Sequence, residues 1–141
     1  GRYDSAIDAE DYVLACAEAV EAAVSRDDDE RVTVLIDARP GEGWPNPAAP
    51  KMVAFMRMAT VVLPAQFPER IQRVIVYPMP WIMKSLWSML QAVADHRSSE
   101  RVVVLSGSAS TTSPCPKELR EFVELSEMPI DTHARHASLA A

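Results

Sequence analysis

The sequence is poor in the residues that usually carry catalytic or redox chemistry. Its two cysteines, Cys16 and Cys115, match neither a zinc nor a redox spacing, and reduced cysteines in a cytosolic protein are the simplest interpretation. No Gly-x-Ser-x-Gly stretch presents a nucleophile. His133 and His136 lie near the end of the chain without a third metal ligand beside them. We therefore expect no enzyme active site, no metal and no cofactor.

Positive charge and long apolar runs are also scarce. Lys and Arg number 14 against 20 Asp and Glu, which gives a net charge of −6. Nucleic-acid binding needs clustered cationic side chains, so we expect no nucleic-acid partner. No apolar run reaches membrane-spanning length, and the first residues lack the basic and apolar regions of a signal peptide. The sequence predicts a cytoplasmic protein that, if it meets a membrane, is peripheral to it.

What the sequence does contain is an alternation of helical and strand patterns. With 48% apolar and 24% charged residues, its 141 residues are typical of one globular domain. This alternation predicts an α/β domain with a mostly parallel sheet and helices packed on it. Helices are predicted over residues 8–25, 51–64, 80–95 and from Pro116, strands over 32–37, 73–78 and 101–107, and a flexible tail over 131–141.

The pattern also predicts how three of these elements begin, end or pack. Asp8 is predicted to cap the first helix, whose apolar face is formed by Val13, Cys16, Val20 and Val24. Pro64 is expected to end the second helix. The unbroken apolar run "VTVLID" predicts a first strand that is covered on both faces.

Methionine is concentrated in the second and third predicted helices. Met52 and Met56 belong to one, and Met83 and Met89 belong to the next. Met is flexible and polarizable, so it suits an adaptable apolar cavity. Composition alone favours an ordinary Met-rich core. The methionines by themselves do not decide between such a core and a ligand cavity.

Residues 67–107 resemble the central part of the CRAL-TRIO lipid-binding family. Phe67-Pro68-Glu69-Arg70 matches the family's aromatic-Pro-Glu-Arg turn, and the strand over 73–78 matches the one that follows it. Arg101 opens a strand where the family has a basic residue. The stretches "VTVLIDARPG" and "KELREFVELSEMP" extend the resemblance over most of residues 1–130. The pattern resembles that of the yeast phosphatidylinositol/phosphatidylcholine transfer proteins, which belong to this family.

The resemblance implies a non-catalytic lipid-binding domain over residues 1–130. One hydrophobic ligand would occupy a cavity between sheet and helices, and the helix over residues 80–95 would act as its gate at a membrane surface. Transfer or presentation of that lipid would follow. The residues implied for the pocket and gate are Met52, Phe55, Met56, Met83, Leu86, Trp87, Leu90 and Val93.

The resemblance also implies a phosphoinositide headgroup site at Glu69 and Arg101, which lie 32 residues apart, as in the yeast protein. A guanidinium can bind phosphate through two hydrogen bonds, and a carboxylate accepts sugar hydroxyls. Val32 and Val34 replace small hydroxyl residues that contact choline phosphate in the yeast-type proteins, so phosphatidylcholine exchange is not expected. The family's first strand and N-terminal helical region are not in this sequence, so we expect an N-terminally incomplete domain.

Two other interpretations fit the same residues. The chain could be a protein-interaction module with a filled core, either CRAL-TRIO without a ligand or similar to sulfate-transporter and anti-sigma-antagonist domains. Its partner would then be another protein, and Glu69 and Arg101 would be ordinary surface charges. A small hydrolase ranks third, because no nucleophile stands beside a base.

Overall fold

The computed structural model describes most of the chain. The residues outside the description are 1–3, 5, 25–28, 30, 42–48, 68, 82–86, 89–90, 92–99, 129 and 141, together with the side chains of 49–53, 60, 64 and 131.

Three parallel strands form the sheet of the described chain. Strand β1 is Val32–Asp37, β2 is Ile71–Met79 and β3 is Val102–Ser106, in the order β1-β2-β3. The register pairs Leu35 with Ile75 and Ile75 with Val103. The predicted α/β class and parallel sheet are therefore confirmed.

The two outer strands are less covered than the central one. The side chains of β1 are partly buried, and Ile36 is 37% exposed, whereas five consecutive residues of β2, 75–79, are buried. The prediction that β1 is covered on both faces is wrong. The reason is its place in the sheet, since among the described strands β1 has a neighbour on one side only.

Helix α1 spans Ala9–Ala23 and begins where the sequence predicts. The Asp8 carboxylate accepts a hydrogen bond from the Glu10 N–H, 2.8 Å away, which satisfies one of the free donors of the first turn. Its buried residues are Val13, Ala17 and Val20, so Ala17 takes the place predicted for Cys16, which is half-buried. Val24 lies beyond the last turn in extended backbone.

Helix α2 spans Ala49–Gln66 and packs against α1. It continues past Pro64, contrary to the prediction. Pro64 lies two residues before the end of the helix, and the Phe67 N–H still donates to the Leu63 carbonyl at 2.9 Å, so the final turn closes.

The segment after β3 forms three 3₁₀ helices that cover one face of the sheet. They span Lys117–Glu121, Leu125–Glu127 and Ile130–Leu139. The first replaces the α-helix predicted from Pro116. The core cluster on this face comprises Ile75, Tyr77, Cys115, Leu119, Met128 and Leu139, with Leu35, Val103, Leu105, Phe122, Val123 and Leu125 packed against it.

The predicted flexible tail differs most from the structure. His136 and Leu139 are buried within the third 3₁₀ helix, and His133 is partly buried. These three positions are spaced by three residues, which is the period of a 3₁₀ helix. A search for the 3.6-residue α-helical period misses this spacing, and so the segment was predicted to be irregular.

Candidate functional site

Glu69 lies in the turn between α2 and β2. The turn is closed by the Arg70 N–H, which donates to the Phe67 carbonyl at 3.3 Å. Glu69 occupies the third position with a φ angle of 66°, as the third residue of a type II turn requires, and its side chain is exposed. The Phe-Pro-Glu-Arg sequence thus forms a tight turn that presents the Glu69 carboxylate to solvent.

Arg101 lies at the same end of the sheet, immediately before β3. Its carbonyl accepts the Val74 N–H at 2.9 Å, and its guanidinium donates to the Ile71 carbonyl at 3.2 Å. Because the strands are parallel, the starts of β2 and β3 meet at the amino end of the sheet. The structure therefore brings Glu69 and Arg101 to one end, although they form no ion pair with each other.

Only part of the predicted lipid pocket can be located. Phe55 packs edge-on against Tyr12 of α1, with ring centroids 5.3 Å apart, and Met56 is partly buried on the same helix. Trp87 is partly buried as well. The remaining residues lie outside the described part of the chain: Met83, Leu86, Leu90, Val93 and the side chain of Met52.

Trp81 stands out by its exposure. It follows β2 by two residues, at the start of the predicted gate, and 81% of its surface is exposed. Tryptophan partitions to the boundary between water and lipid headgroups, where its ring is apolar and its N–H remains solvated. Among the described helices, none has the length and hydropathy to cross a bilayer.

A partly buried ionic cluster lies at the opposite, carboxyl end of the sheet. Asp37, the last residue of β1, accepts three hydrogen bonds from the Arg39 side chain and backbone at 2.8–3.0 Å. The Nε of Arg135 donates to the same carboxylate at 3.1 Å. Arg39 is 4% exposed and its Nη1 donates to the Ser113 carbonyl at 3.0 Å. The cluster joins β1, the loop after β3 and the third 3₁₀ helix.

Tyr77 and His136 extend this cluster into the core. The Nδ1 of His136 lies 2.7 Å from the Thr132 carbonyl, which can only accept, so Nδ1 carries a proton. In the neutral ring, the Nε2 then accepts a hydrogen bond from the Tyr77 hydroxyl at 2.7 Å. The same Nε2 lies 4.0 Å from the Asp37 carboxylate. Tyr77, 1% exposed, thus fixes the ring orientation of His136.

The electrostatics of the cluster keep Asp37 negatively charged and Arg39 positively charged. Burial alone would raise the pKa of Asp37, but hydrogen bonds from Arg39 and the charges of Arg39 and Arg135 hold it below its ordinary value. The pKa of Arg39 is raised, because its pairing with Asp37 outweighs the effect of burial. Burial raises the pKa of Tyr77, and it raises that of Cys115 to about 11, so Cys115 carries a protonated, unreactive thiol.

Sequence reasoning did not find this cluster. Asp37 had a signal, because it ends an apolar run and lies in one of the stretches that extend the family resemblance. Arg39 follows it by two residues and is within reach of the same carboxylate. No signal in the sequence pointed to Arg135 or His136, since they belong to the segment predicted as a flexible tail. Within the described residues, no group of three or more His, Cys, Asp or Glu side chains could hold a metal ion.

Comparison with known protein families identifies the family of this chain. The CRAL/TRIO domain family matches residues 5–132, which is most of the chain. No curated protein and no solved structure matches it. Domains of this family bind hydrophobic lipid ligands, and the parallel sheet with its helices is consistent with their fold. The chain belongs to the CRAL/TRIO domain family.

Proposed function

We propose that this chain binds one phospholipid, such as phosphatidylinositol, in an apolar cavity gated by residues 80–95, and transfers or presents it at a membrane. Binding involves no covalent chemistry. Family membership supports a hydrophobic ligand in general. The observation that carries the choice of lipid is the placement of Glu69 and Arg101 at one end of the sheet.

The chemistry of that end suits an inositol phosphate headgroup. The Arg101 guanidinium has five N–H donors, and its hydrogen bond to the Ile71 carbonyl uses one of them. That bond holds the side chain beside the start of β2, two residues from Glu69. A phosphate could bind the guanidinium while the exposed Glu69 carboxylate accepts ring hydroxyls.

The exposed Trp81 supports contact with a membrane. The predicted gate begins beside this residue, so a tryptophan seated at the headgroup level would hold the gate against the bilayer. Opening there would exchange lipid contact with the bilayer for contact with the apolar side chains of the protein.

The headgroup site is tested by the substitution Arg101→Gln. Protein is incubated with vesicles of phosphatidylcholine containing phosphatidylinositol, re-isolated, and analysed by native mass spectrometry. We expect the wild type to carry one phosphatidylinositol and R101Q to lose about tenfold in affinity, the effect of one charged hydrogen bond. Arg120→Gln, which removes an exposed arginine elsewhere, is the matched control.

The outcomes separate the candidate functions. If R101Q and R120Q bind phosphatidylinositol alike, the headgroup assignment is wrong. If the wild type carries no lipid of any kind, the lipid-binding proposal fails and the protein-interaction module with a filled core takes its place. Circular dichroism of each variant establishes that loss of lipid is not loss of fold.

A further inference from the structure

Two arginines stand side by side where the sheet begins. Strand β2 pairs with β3 through Val74 and Val102, so the residues one position earlier, Arg73 and Arg101, are neighbours at the amino end. The Arg101 carbonyl accepts the Val74 N–H, as this register requires. On the other side of β2, Thr33 of β1 pairs with Arg73. The three strands therefore place one hydroxyl side chain and two guanidinium side chains in a single row.

Both arginines lie on the sheet face that the 3₁₀ helices cover. Successive residues of a strand point to opposite faces, and Arg73 shares its face with Ile75 of the core cluster. By the same alternation, Arg101 shares that face with Val103, which packs against the cluster. The guanidinium carbon of Arg73 lies 4.9 Å from the centre of the Phe122 ring, at the end of the first 3₁₀ helix. The two cations and the ring thus meet at one corner of the molecule.

The contacts that hold these two guanidinium groups are with neutral groups. Arg73 lies over an aromatic ring, and Arg101 donates to the Ile71 carbonyl at 3.2 Å. Neither contact cancels a positive charge. Like charges directly opposite each other on neighbouring strands are destabilising, and both side chains are partly buried, so water and salt screen their repulsion incompletely. An anion bound between them would remove this cost.

We propose that Arg73 and Arg101 together bind a phosphomonoester, so that the headgroup preferred by this chain is an inositol ring that carries its own phosphate. This site extends the headgroup site of the function proposed above, on which it rests, by a second phosphate-binding residue. The phosphodiester of phosphatidylinositol has one negative charge, whereas a phosphomonoester has about 1.5–2 near neutral pH. Two guanidinium groups, each able to bind phosphate through paired hydrogen bonds, match the larger charge.

The test compares phosphatidylinositol with phosphatidylinositol 4-phosphate at equal mole fraction in phosphatidylcholine vesicles, with binding of the full chain measured by co-sedimentation. We expect the wild type to bind the phosphorylated lipid about tenfold more tightly, the effect of one charged hydrogen bond. Vesicles in which phosphatidylserine supplies the same total charge are the reference, and they should not reproduce this preference. Soluble inositol 1,4-bisphosphate distinguishes the sources of the phosphate. Competition by it makes a free inositol phosphate a ligand as well, whereas no competition restricts the ligand to the lipid.

Three variants assign the preference to Arg73. Arg73→Gln should abolish it, whereas Arg101→Gln should weaken the binding of both lipids. Arg120→Gln removes an exposed arginine of the first 3₁₀ helix and should keep the preference, so it is the matched control. Circular dichroism establishes that each variant is folded. If R73Q fails to fold, Arg73→Lys decides, because it keeps the charge but loses the paired donors of the guanidinium, and the preference should fall.

The role of Arg73 is refuted if the wild type binds the two lipids equally, if phosphatidylserine reproduces the preference, or if folded R73Q keeps it. Equal binding of the two lipids by a protein that carries one phosphatidylinositol in native mass spectra would leave the function proposed above intact. A preference that depends on Arg73, in a chain that extracts no lipid from the vesicles, would support the phosphate site and refute the lipid cavity.

Discussion

Glu69 occupies a backbone conformation that glycine or asparagine adopts more readily. A φ angle of 66° brings the Cβ of an L-residue close to the following carbonyl, which costs about 1–2 kcal/mol. The side chain is exposed, so its burial does not offset this cost. A charged residue kept in a strained turn is a feature of ligand-binding sites, because binding can require a residue that folding does not.

Substitutions at Glu69 should separate stability from binding. Glu69→Asn relieves the strain and should raise the free energy of unfolding by up to about 1 kcal/mol, measured in urea. The same variant should lose affinity for phosphatidylinositol, because the carboxylate is gone. Glu69→Gln is the matched control: it keeps the strain, so its stability should stay at the wild-type value while its affinity falls. A less stable E69N would show that the carboxylate supports the fold instead.

Asp37 is the residue on which the ionic cluster depends. Its replacement by Asn leaves the buried Arg39 guanidinium beside a neutral amide, and leaving a buried charge without its partner is strongly destabilising. We expect Asp37→Asn to lower the free energy of unfolding by about 3 kcal/mol, whereas Asp29→Asn, at an exposed aspartate, should change it little. Equal midpoints of urea denaturation for the two variants would contradict this role.

At the scale of elements, close contact between β2 and the end of β3 restricts one exposed glycine. A Cβ added at Gly107 would lie 2.8 Å from the Cβ of Pro78, which is fully buried. The Gly107 N–H also donates to the Met79 carbonyl at 3.3 Å. The backbone at Gly107 therefore cannot move away from Pro78 without losing that hydrogen bond. The glycine is thus required by packing, although its surface position suggests tolerance.

Gly107→Ala should therefore destabilise the protein by about 1–3 kcal/mol through overpacking. Thermal unfolding followed by circular dichroism measures the effect. Ser108→Ala, at the next exposed position, should leave the melting temperature unchanged within error. If G107A and S108A have the same melting temperature, β2 and the end of β3 separate more easily than the contact between Gly107 and Pro78 indicates.

The strands were predictable because their signal is local. Each is a short apolar run bounded by charged or turn residues, and the observed β1, β2 and β3 lie within two residues of the predicted bounds. The cap at Asp8 was predictable for the same reason. The 3₁₀ helices were not, since their three-residue period is rare in runs as long as Ile130–Leu139.

The site was predictable only in part. The Glu69 turn was found through its resemblance to a family motif, and the parallel sheet then explains why Arg101 reaches the same end. The contact between Asp37 and Arg135 joins residues 98 positions apart, and no spacing pattern in the sequence predicts such a pair. Long-range ionic contacts become visible only once the fold is known.

At the scale of the whole molecule, the cluster at the carboxyl end should govern the response to acid. The pKa of Asp37 is lowered on folding, so its contribution to stability is fully present above its ordinary pKa of about 3.9 and is lost as the pH falls through the lowered value. We expect the difference in stability between the wild type and D37N to be constant near neutral pH and to shrink below about pH 4. Urea denaturation at several pH values measures it, and a difference that persists at low pH would contradict the assignment.

The same cluster has a consequence for the order of events during synthesis. Asp37 and Tyr77 lie on strands made early, whereas Arg135 and His136 lie 98 and 59 residues later in the chain. Until that segment leaves the ribosome, Asp37 has Arg39 as its cationic partner, while Tyr77 and much of one sheet face lack their covering helix. Closing such long loops costs conformational entropy that only late contacts repay. The nascent domain should therefore depend on the segment Ile130–Leu139, or on a chaperone that covers that face in the meantime.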